Sequence, residues 1–245
     1  MSEPVRIQKL LAGWGVASRR AIEKMIEEGR IEIDGEKLVE QGRFVDPDNP
    51  PVITINGKQI RRPEQREHAI YIFYKPIDVV TTLNDECGRK TIRDYLPADR
   101  RLYPIGRLDR DSTGLLLITD HGELTNRLLH PSYKVEKEYI VSLFDSPLTN
   151  DECAQFRSGV ELDDGITAPC ELSRIKEPQT YSVIIREGKK RQIRRMFASF
   201  GRQVKSLHRV RFGPIDLGNL RPGEIRPLSA KERSALLNAA GLNDQ

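Results

Sequence analysis

Residues 106–118 have the sequence Gly-Arg-Leu-Asp-Arg-Asp-Ser-Thr-Gly-Leu-Leu-Leu-Ile, a charged loop that leads directly into an apolar run. Two acids and two arginines lie between the glycines, and the apolar residues 115–118 are typical of a buried strand. The pattern predicts a loop that presents a reactive side chain at the rim of a sheet, with Asp109 as the candidate. An aspartate in front of a strand is also a common turn residue that binds its own backbone. The spacing alone leaves both interpretations open.

The same loop carries a resemblance to a known family. Three segments resemble the signature of pseudouridine synthases, in the RsuA/RluB branch that modifies ribosomal RNA: Gly106–Asp109, Thr113–Leu117 and Thr119–Leu124. In that family the acid at the position of Asp109 is the catalytic residue, whereas Asp111 is not. The resemblance also places Arg107 among the residues that support the target base and the active site.

Length and composition are those of an ordinary globular protein. The 245 residues suffice for two modest domains or one large one, and 38% are hydrophobic and 31% charged. No apolar run approaches the roughly 18 residues of a membrane helix, and the first residues lack the apolar core of a secretory signal. We therefore expect a cytoplasmic protein without a membrane partner. The three cysteines, Cys87, Cys153 and Cys170, lie too far apart to indicate a disulfide framework or a zinc site.

Positive charge is concentrated in one segment. The formal net charge of the chain is +4, and residues 1–67 carry 12 basic and 12 acidic side chains. Residues 186–211 carry ten Lys and Arg and a single acid, Glu187. Such a focused basic surface is typical of a protein that binds a polyanion.

The first 62 residues predict a small module of two helices and short strands. Val5–Ala12 and a helix capped by Ser18 have apolar residues at helical spacing, and alternating strands follow with turns at Asp34-Gly35 and Asn56-Gly57. The arrangement resembles the small RNA-binding module first described in a ribosomal small-subunit protein. At the start of the second helix, Arg19 and Arg20 are either a solvated face or contacts to phosphate.

Residues 63–68 are charged and include a proline, so we interpret them as a linker to a second domain over residues 69–245. This domain opens with the strand Ala69–Tyr74, and Lys75-Pro76 resembles the opening motif of the family. Asp78 stands where the family usually has glycine. The chain as a whole predicts an α+β protein, in which the RNA-binding module precedes a catalytic domain built on a mixed, mainly antiparallel sheet.

Two features follow the Asp109 loop. Asp120 and Glu123 predict a capping box at the start of a helix, a structural role. Residues 134–143 alternate as a strand that contains Tyr139, which by pattern alone is a cross-strand packing residue. In the family the matching tyrosine lies in the active site and stacks on the target base.

The basic segment predicts a helix over residues 191–200 with one apolar and one basic face. Glu187–Met196 resembles a second family motif, in which the basic residue at Arg194 pairs with the catalytic aspartate. Such a pair would keep Asp109 ionised and positioned as a nucleophile. The alternative is nonspecific phosphate binding, the role predicted for Lys190, Arg191 and Arg195. Leu207 matches an apolar residue that packs near the base in relatives.

Pseudouridine formation needs no redox change, metal or group donor, so we expect no cofactor and a monomer that binds ribosomal RNA, favouring the large subunit over the small. The residues leave open whether the aspartate attacks the base or the ribose, or assists glycal formation. Two rival hypotheses are a noncatalytic RNA-binding or ribosome-assembly factor, and a metal-dependent nuclease. The nuclease would use an acidic cluster of Asp109, Asp111, Asp120 and Glu123.

Overall fold

The computed structural model describes residues 3–63, 67–144, 146–175, 177 and 179–242. The described residues form two compact units, one within residues 1–68 together with 99–101, the other within 69–98 and 102–245. Three residues of the predicted linker, Glu64, Gln65 and Arg66, lie outside the described residues. None of the described helices combines the length and the apolar character needed to cross a membrane.

The N-terminal unit contains the two predicted helices and a small sheet. Ser18 caps the second helix by accepting a hydrogen bond from the backbone N–H of Ala21, and Ile22 and Ile26 are buried on its inner face. The first helix begins two residues later than predicted because Val5 and Arg6 pair with a strand instead. The elements are β1 (Val5–Arg6), α1 (Ile7–Gly13), α2 (Arg19–Glu27), β2 (Ile31–Ile33), β3 (Glu36–Lys37), β4 (Phe44–Val45), β5 (Ile53–Ile55) and β6 (Lys58–Ile60).

The C-terminal unit is built on a long mixed sheet. Its strands are β7 (Ile70–Lys75), β8 (Tyr103–Pro104), β9 (Thr113–Thr119), β10 (Lys137–Leu143), β11 (Glu171–Arg174), β12 (Thr180–Ile185), β13 (Val204–Phe212), β14 (Ile215–Asp216) and β15 (Ile225–Pro227). Its α-helices are α3 (Gly122–Leu129), α4 (Asn150–Ser158), α5 (Gln192–Ser199) and α6 (Ala230–Ala239), with 3₁₀ turns at Ile92–Tyr95 and Pro131–Tyr133.

The strands of this sheet follow the order β11-β12-β10-β13-β9-β7-β15, with β14 beside β13 and β8 beside β9. Among the described strand pairs, only β9 and β13 run parallel. The α+β class and the mainly antiparallel sheet are thus confirmed.

The apolar run after the Asp109 loop is the centre of the sheet. Leu116 and Ile118 of β9 pack into one hydrophobic cluster with helices α4 and α5, whereas Leu115 and Leu117 pack into another with helices α3 and α6. Because both faces of β9 are covered, its sequence is continuously apolar and does not alternate. The same strand therefore fixes the end of the loop to the middle of the core.

One row of paired residues crosses four strands directly after this loop. Gly114 of β9 is paired with Lys75 of β7 on one side and with Arg209 of β13 on the other, and Arg209 is paired with Tyr139 of β10. Residues that are far apart in sequence are thereby brought side by side. The row lies where β9 begins, five residues after Asp109.

The predicted capping box at Asp120 and Glu123 is wrong. Helix α3 begins at Gly122, and His121 caps it by accepting the backbone N–H of Leu124. The Asp120 carboxylate accepts the N–H of Ala69 at the start of β7. Its role is therefore to tie two strand ends together.

Candidate active site

Asp109 lies in a turn whose backbone is held by a buried lysine, Lys75. The backbone N–H of Ser112 donates to the carbonyl of Asp109 at 3.0 Å and closes the turn. Lys75 is fully buried, and its Nζ donates to the carbonyl oxygens of Pro76 and Ser112, each at 2.8 Å, and more weakly to Arg110 at 3.4 Å. Burial lowers the pKa of Lys75 to about 8, while the nearby carboxylates of Asp111, Asp109 and Asp78 oppose this shift.

The residue before Asp109 is held just as firmly. The Thr81 hydroxyl donates to the carbonyl of Leu108 at 2.6 Å and accepts its N–H at 3.3 Å. The Leu108 side chain is buried in the same hydrophobic cluster as Tyr139 and Leu207. The backbone is therefore fixed on both sides of the candidate aspartate.

The Asp109 side chain itself is left open. It is 35% exposed and makes no hydrogen bond with any residue that the structure describes. Its nearest cation is Arg191, whose Nη1 lies 3.8 Å from Oδ2. An anchored backbone with an unengaged carboxylate is an arrangement suited to attack on a bound molecule.

The second acid of the loop, Asp111, is bound by two arginine side chains. Both terminal nitrogens of Arg191 donate to the Asp111 carboxylate, at 3.0 and 2.8 Å, and Arg194 Nε lies 3.3 Å from its Oδ2. Hydrogen bonding to Arg191 keeps the pKa of Asp111 below its ordinary value. The predicted pairing of Arg194 with Asp109 is therefore not the contact observed: Arg194 binds Asp111, and Arg191 is the guanidinium that reaches Asp109. Asp111 faces both arginines because it lies beyond the turn, toward the start of α5.

Tyr139 and Leu207 lie on the adjacent strands β10 and β13, in the hydrophobic cluster that also contains Leu108. Both are 7% exposed, and Leu207 is paired with Val141, two residues after Tyr139. Beside Tyr139 lies Arg209, 2% exposed, whose Nη1 is 3.4 Å from the tyrosine hydroxyl oxygen. Arg209 Nε donates to the carbonyl of Leu115 at 2.7 Å, so this guanidinium links β9 to Tyr139.

The basic residues predicted to bind RNA or to support the site differ in whether acidic side chains already bind them. Arg107 and Lys190 are exposed and form no hydrogen bond or ion pair with the residues that the structure describes. Arg195, predicted to bind phosphate, is bound instead to the carboxylates of Asp163 and Asp164. In the N-terminal unit, Arg19 and Arg20 are exposed in the first turn of α2, which suits either of their two interpretations.

Three residues of this arrangement were missed by the sequence analysis: Lys75, Thr81 and Arg209. The signal for Lys75 is a lysine at the end of an otherwise apolar strand, within the Lys75-Pro76 motif. Thr81 and Arg209 have no local signal, because their partners lie 27 and more residues away.

Asp78, which replaces the glycine usual in the resembled motif, has a φ of 62°. Aspartate tolerates this left-handed conformation better than most residues. Its backbone N–H donates to the carbonyl of Arg110 at 2.9 Å, and its carboxylate lies 3.2 Å from Arg110 Nε. The glycine-like loop shape is thus retained, and the loop is docked on the Asp109 turn.

Three of the four acids in the rival nuclease hypothesis are bound by basic side chains or by backbone groups. Asp111 binds arginine, Asp120 binds a backbone N–H, and Glu123 pairs with Arg127. Within the described ranges, no group of three or more His, Cys, Asp or Glu side chains is arranged to hold a metal ion.

Comparisons with known proteins place the chain in a family. Residues 69–199 match the family model of RNA pseudouridylate synthases, and residues 5–49 match that of the S4 domain. Ribosomal large subunit pseudouridine synthase B of Bacillus subtilis is 36% identical over 93% of either chain. Its namesake in Pseudomonas aeruginosa is 39% identical, over 97% of this chain and 63% of the relative. A solved structure described as a pseudouridylate synthase superposes with a TM-score of 0.69 at 29% identity, covering 95% of this chain and 99% of the other.

Proposed function

Since the chain belongs to the RNA pseudouridylate synthase family, we propose that it converts one uridine of large-subunit ribosomal RNA to pseudouridine, with Asp109 as the catalytic carboxylate. The observation that carries the assignment of Asp109 is the contrast between the two acids of its loop. Asp111 is held by two guanidinium groups, whereas Asp109 is partly exposed and accepts no hydrogen bond among the described residues. Of these two acids, Asp109 is therefore the better placed to act on a substrate.

The reaction is an isomerisation. The bond between the ribose and N1 of uracil breaks, the base turns, and a new bond forms from the ribose to C5; the hydrogen leaves C5 and N1 gains one, so no outside reagent is consumed. The site must supply a nucleophile, hold the detached base and exclude water. In this proposal Asp109 is the nucleophile, while Tyr139 and Leu207 form the apolar wall that holds the base.

The fixed backbone around Asp109 supports the first of these roles. Lys75 and Thr81 hold the turn from two sides, so the backbone of Asp109 does not have to be ordered when the substrate binds. Arg191 lies beside this carboxylate, with its Nη1 3.8 Å from Asp109 Oδ2.

The choice of substrate is supported by the relatives and by the charge of the chain. The relatives from B. subtilis and P. aeruginosa carry the name of a large-subunit enzyme. A uridine must leave its stack to reach a protein site, which costs a few kcal/mol and favours loops or distorted helices. Contacts between the RNA backbone and the basic segment 186–211 would offset that cost, so binding should weaken with salt.

The test is a map of the pseudouridines in ribosomal RNA from cells that lack this protein. Carbodiimide-induced stops of reverse transcription are compared before and after rescue with the wild type, with Asp109→Asn and with Asp111→Asn. We expect one stop in large-subunit RNA to vanish in the deletion and to return with the wild type and with Asp111→Asn, but not with Asp109→Asn.

Other outcomes have distinct meanings. A lost stop in small-subunit RNA would keep the reaction and change the substrate. A stop that returns with Asp109→Asn would remove that residue from catalysis. An unchanged map would contradict the ribosomal substrate and favour the noncatalytic RNA-binding factor.

A further inference from the structure

A cavity of about 520 Å³ opens beside the Asp109 loop, on the side of Asp111. It lies within the C-terminal unit, between the loop after β7, the Asp109 loop, helix α5 and the start of β13. Its volume is within the roughly 300–1,000 Å³ of typical ligand pockets. The residues that matter for its chemistry are Ile77, Asp111, Arg191, Arg194, Arg202 and Lys205.

The walls carry more positive than negative charge. Arg191 and Arg194 share the single carboxylate of Asp111. Arg194 is 13% exposed, and its Nε is buried without a hydrogen bond. Burial, with the neighbouring charge of Arg191, lowers the pKa of Arg194 against the opposing effect of Asp111. Two guanidinium groups on one carboxylate leave room for a second anion.

Lys205 provides a free cation at the edge of the cavity. It is exposed at the start of β13 and forms no hydrogen bond or ion pair with the described part of the chain. Arg202, by contrast, already donates hydrogen bonds to the carbonyls of Ser146 and Phe200 and to the Glu152 carboxylate. The cations available to a ligand are therefore Lys205 and the exposed side of Arg191.

Ile77 is an exposed apolar residue in the lining of the cavity. Its neighbours are both anchored, since the carbonyl of Pro76 accepts Lys75 Nζ and the N–H of Asp78 donates to Arg110. Ile77 itself is 60% exposed and lines the cavity together with Arg191 and Lys205. An exposed apolar residue in such a place is suited to the face of a nucleobase.

Resting on the proposed function, we infer that this cavity is a subsite for the nucleotide next to the target uridine. Its phosphate lies against Lys205 and Arg191, and its base packs on Ile77. Arg191 connects the two places, because the same guanidinium binds Asp111 in the cavity wall and lies 3.8 Å from Asp109. When the target uridine leaves its stack, its neighbour loses a stacking partner, and Ile77 replaces it.

The experiment uses the full chain and a transcript of the ribosomal RNA hairpin that contains the mapped uridine. Two further transcripts carry an abasic residue on the 5′ or the 3′ side of that uridine. The variants are Lys205→Gln, Ile77→Ser, the conservative Ile77→Leu, and the control Lys231→Gln. Lys231 is an equally exposed lysine on α6, which packs near the opposite end of β13. Pseudouridine formation gives kcat and KM, and KM is followed from low to high salt.

We expect Lys205→Gln to raise KM about 5- to 10-fold, which corresponds to about 1.0–1.4 kcal/mol. It should also reduce the slope of log KM against log salt by about 0.7, the value for one phosphate contact to a single strand. Ile77→Ser should raise KM about fivefold on the intact transcript but not on one of the abasic transcripts, because the contact is already missing there. Ile77→Leu keeps an apolar surface and should raise KM less than Ile77→Ser, and Lys231→Gln should stay near the wild type.

The inference is overturned if Lys205→Gln keeps the KM and the salt slope of Lys231→Gln, or if Ile77→Ser has the same effect on all three transcripts. In that case the wild type still forms pseudouridine, so the proposed function stands. If the wild type forms no pseudouridine in any ribosomal RNA, the proposed function falls, and the subsite falls with it.

Discussion

Gly114 and Arg209 lie opposite each other where β9 and β13 run parallel, and a β-carbon on Gly114 would be 2.2 Å from the carbonyl oxygen of Arg209. No other residue type fits this gap without moving a strand. The close approach sets the base of the Asp109 loop beside the strand that carries Leu207 and Arg209. The geometry of the candidate site therefore depends on a residue that takes no part in the chemistry.

Gly114→Ala tests this dependence. Gly114 has a φ of 105°, so alanine meets both strain and the Arg209 backbone, and we expect a loss of about 2–4 kcal/mol in the free energy of unfolding. Urea denaturation followed by circular dichroism measures it. Trp14, the only tryptophan, reports on the N-terminal unit, where we expect no shift. Gly188→Ala is the control, because a β-carbon there meets nothing within 4 Å; equal losses in both variants would contradict the argument.

The two acids of the loop should differ sharply in their effect on catalysis. We expect Asp109→Asn to lower single-turnover pseudouridine formation by about 10³-fold or more, because it removes the nucleophile. Asp111→Asn should cost about tenfold, since it weakens a charge-assisted contact that only orients Arg191 and Arg194. Tritium release from RNA labelled at C5 of uridine measures both. The opposite ranking would assign the chemistry to Asp111.

Lys75 should make stability depend on pH. Its pKa is about 8 in the folded chain, against an ordinary value of 10.5, so between these values the unfolded chain binds more protons. The free energy of unfolding contributed by this group therefore rises with pH across that window, by at most about 1.4 kcal/mol per pH unit. In Lys75→Met this rise should be absent, and unbound loop carbonyls should lower stability by about 2–4 kcal/mol at pH 7. Urea titrations of both proteins from pH 7 to 10 compare the slopes; parallel curves would exclude Lys75 as the source.

Arg209 should act through Tyr139. The variant Arg209→Lys keeps the positive charge, but its single ammonium group cannot bind both the Leu115 carbonyl and the Tyr139 hydroxyl. We therefore expect kcat to fall about tenfold. Tyr139→Phe removes the same hydroxyl contact. If the two residues are coupled, the double variant should lose less than the two single effects combined, with a coupling of about 0.5–1.5 kcal/mol in a double-mutant cycle of kcat. Additive effects would mean that Arg209 has only a packing role.

The acids that occupy Arg195 should weaken RNA binding. Asp164→Asn releases part of this guanidinium, so we expect the affinity for the transcript to increase about two- to fivefold at low salt and to return to the wild-type value at high salt. Asp216→Asn changes the net charge equally at an exposed position on β14 and serves as the control. A similar gain in both variants would show a general charge effect.

Much of the fold was predictable because its signals are local. Ser18 caps α2, and Asp34 and Asn56 adopt the left-handed conformation in the turns where Asp-Gly and Asn-Gly were noted. The helix predicted over residues 191–200 is α5, Gln192–Ser199. The capping box at Asp120 failed because its carboxylate has a better partner 51 residues away, the Ala69 N–H, which no local pattern reveals.

By itself, the sequence determined the α+β class, the family signature around Asp109 and the basic segment, since turns, caps, periodicity and charge depend on neighbouring residues. Only the tertiary structure decided which arginine faces which acid, that Lys75 and Thr81 hold the turn, and that Arg209 lies against Tyr139. Those contacts join residues from 27 to 83 positions apart, and their geometry follows from strand register and from the close approach at Gly114. The Asp109 carboxylate stays partly exposed because Arg191, the guanidinium nearest to it, donates its hydrogen bonds to Asp111.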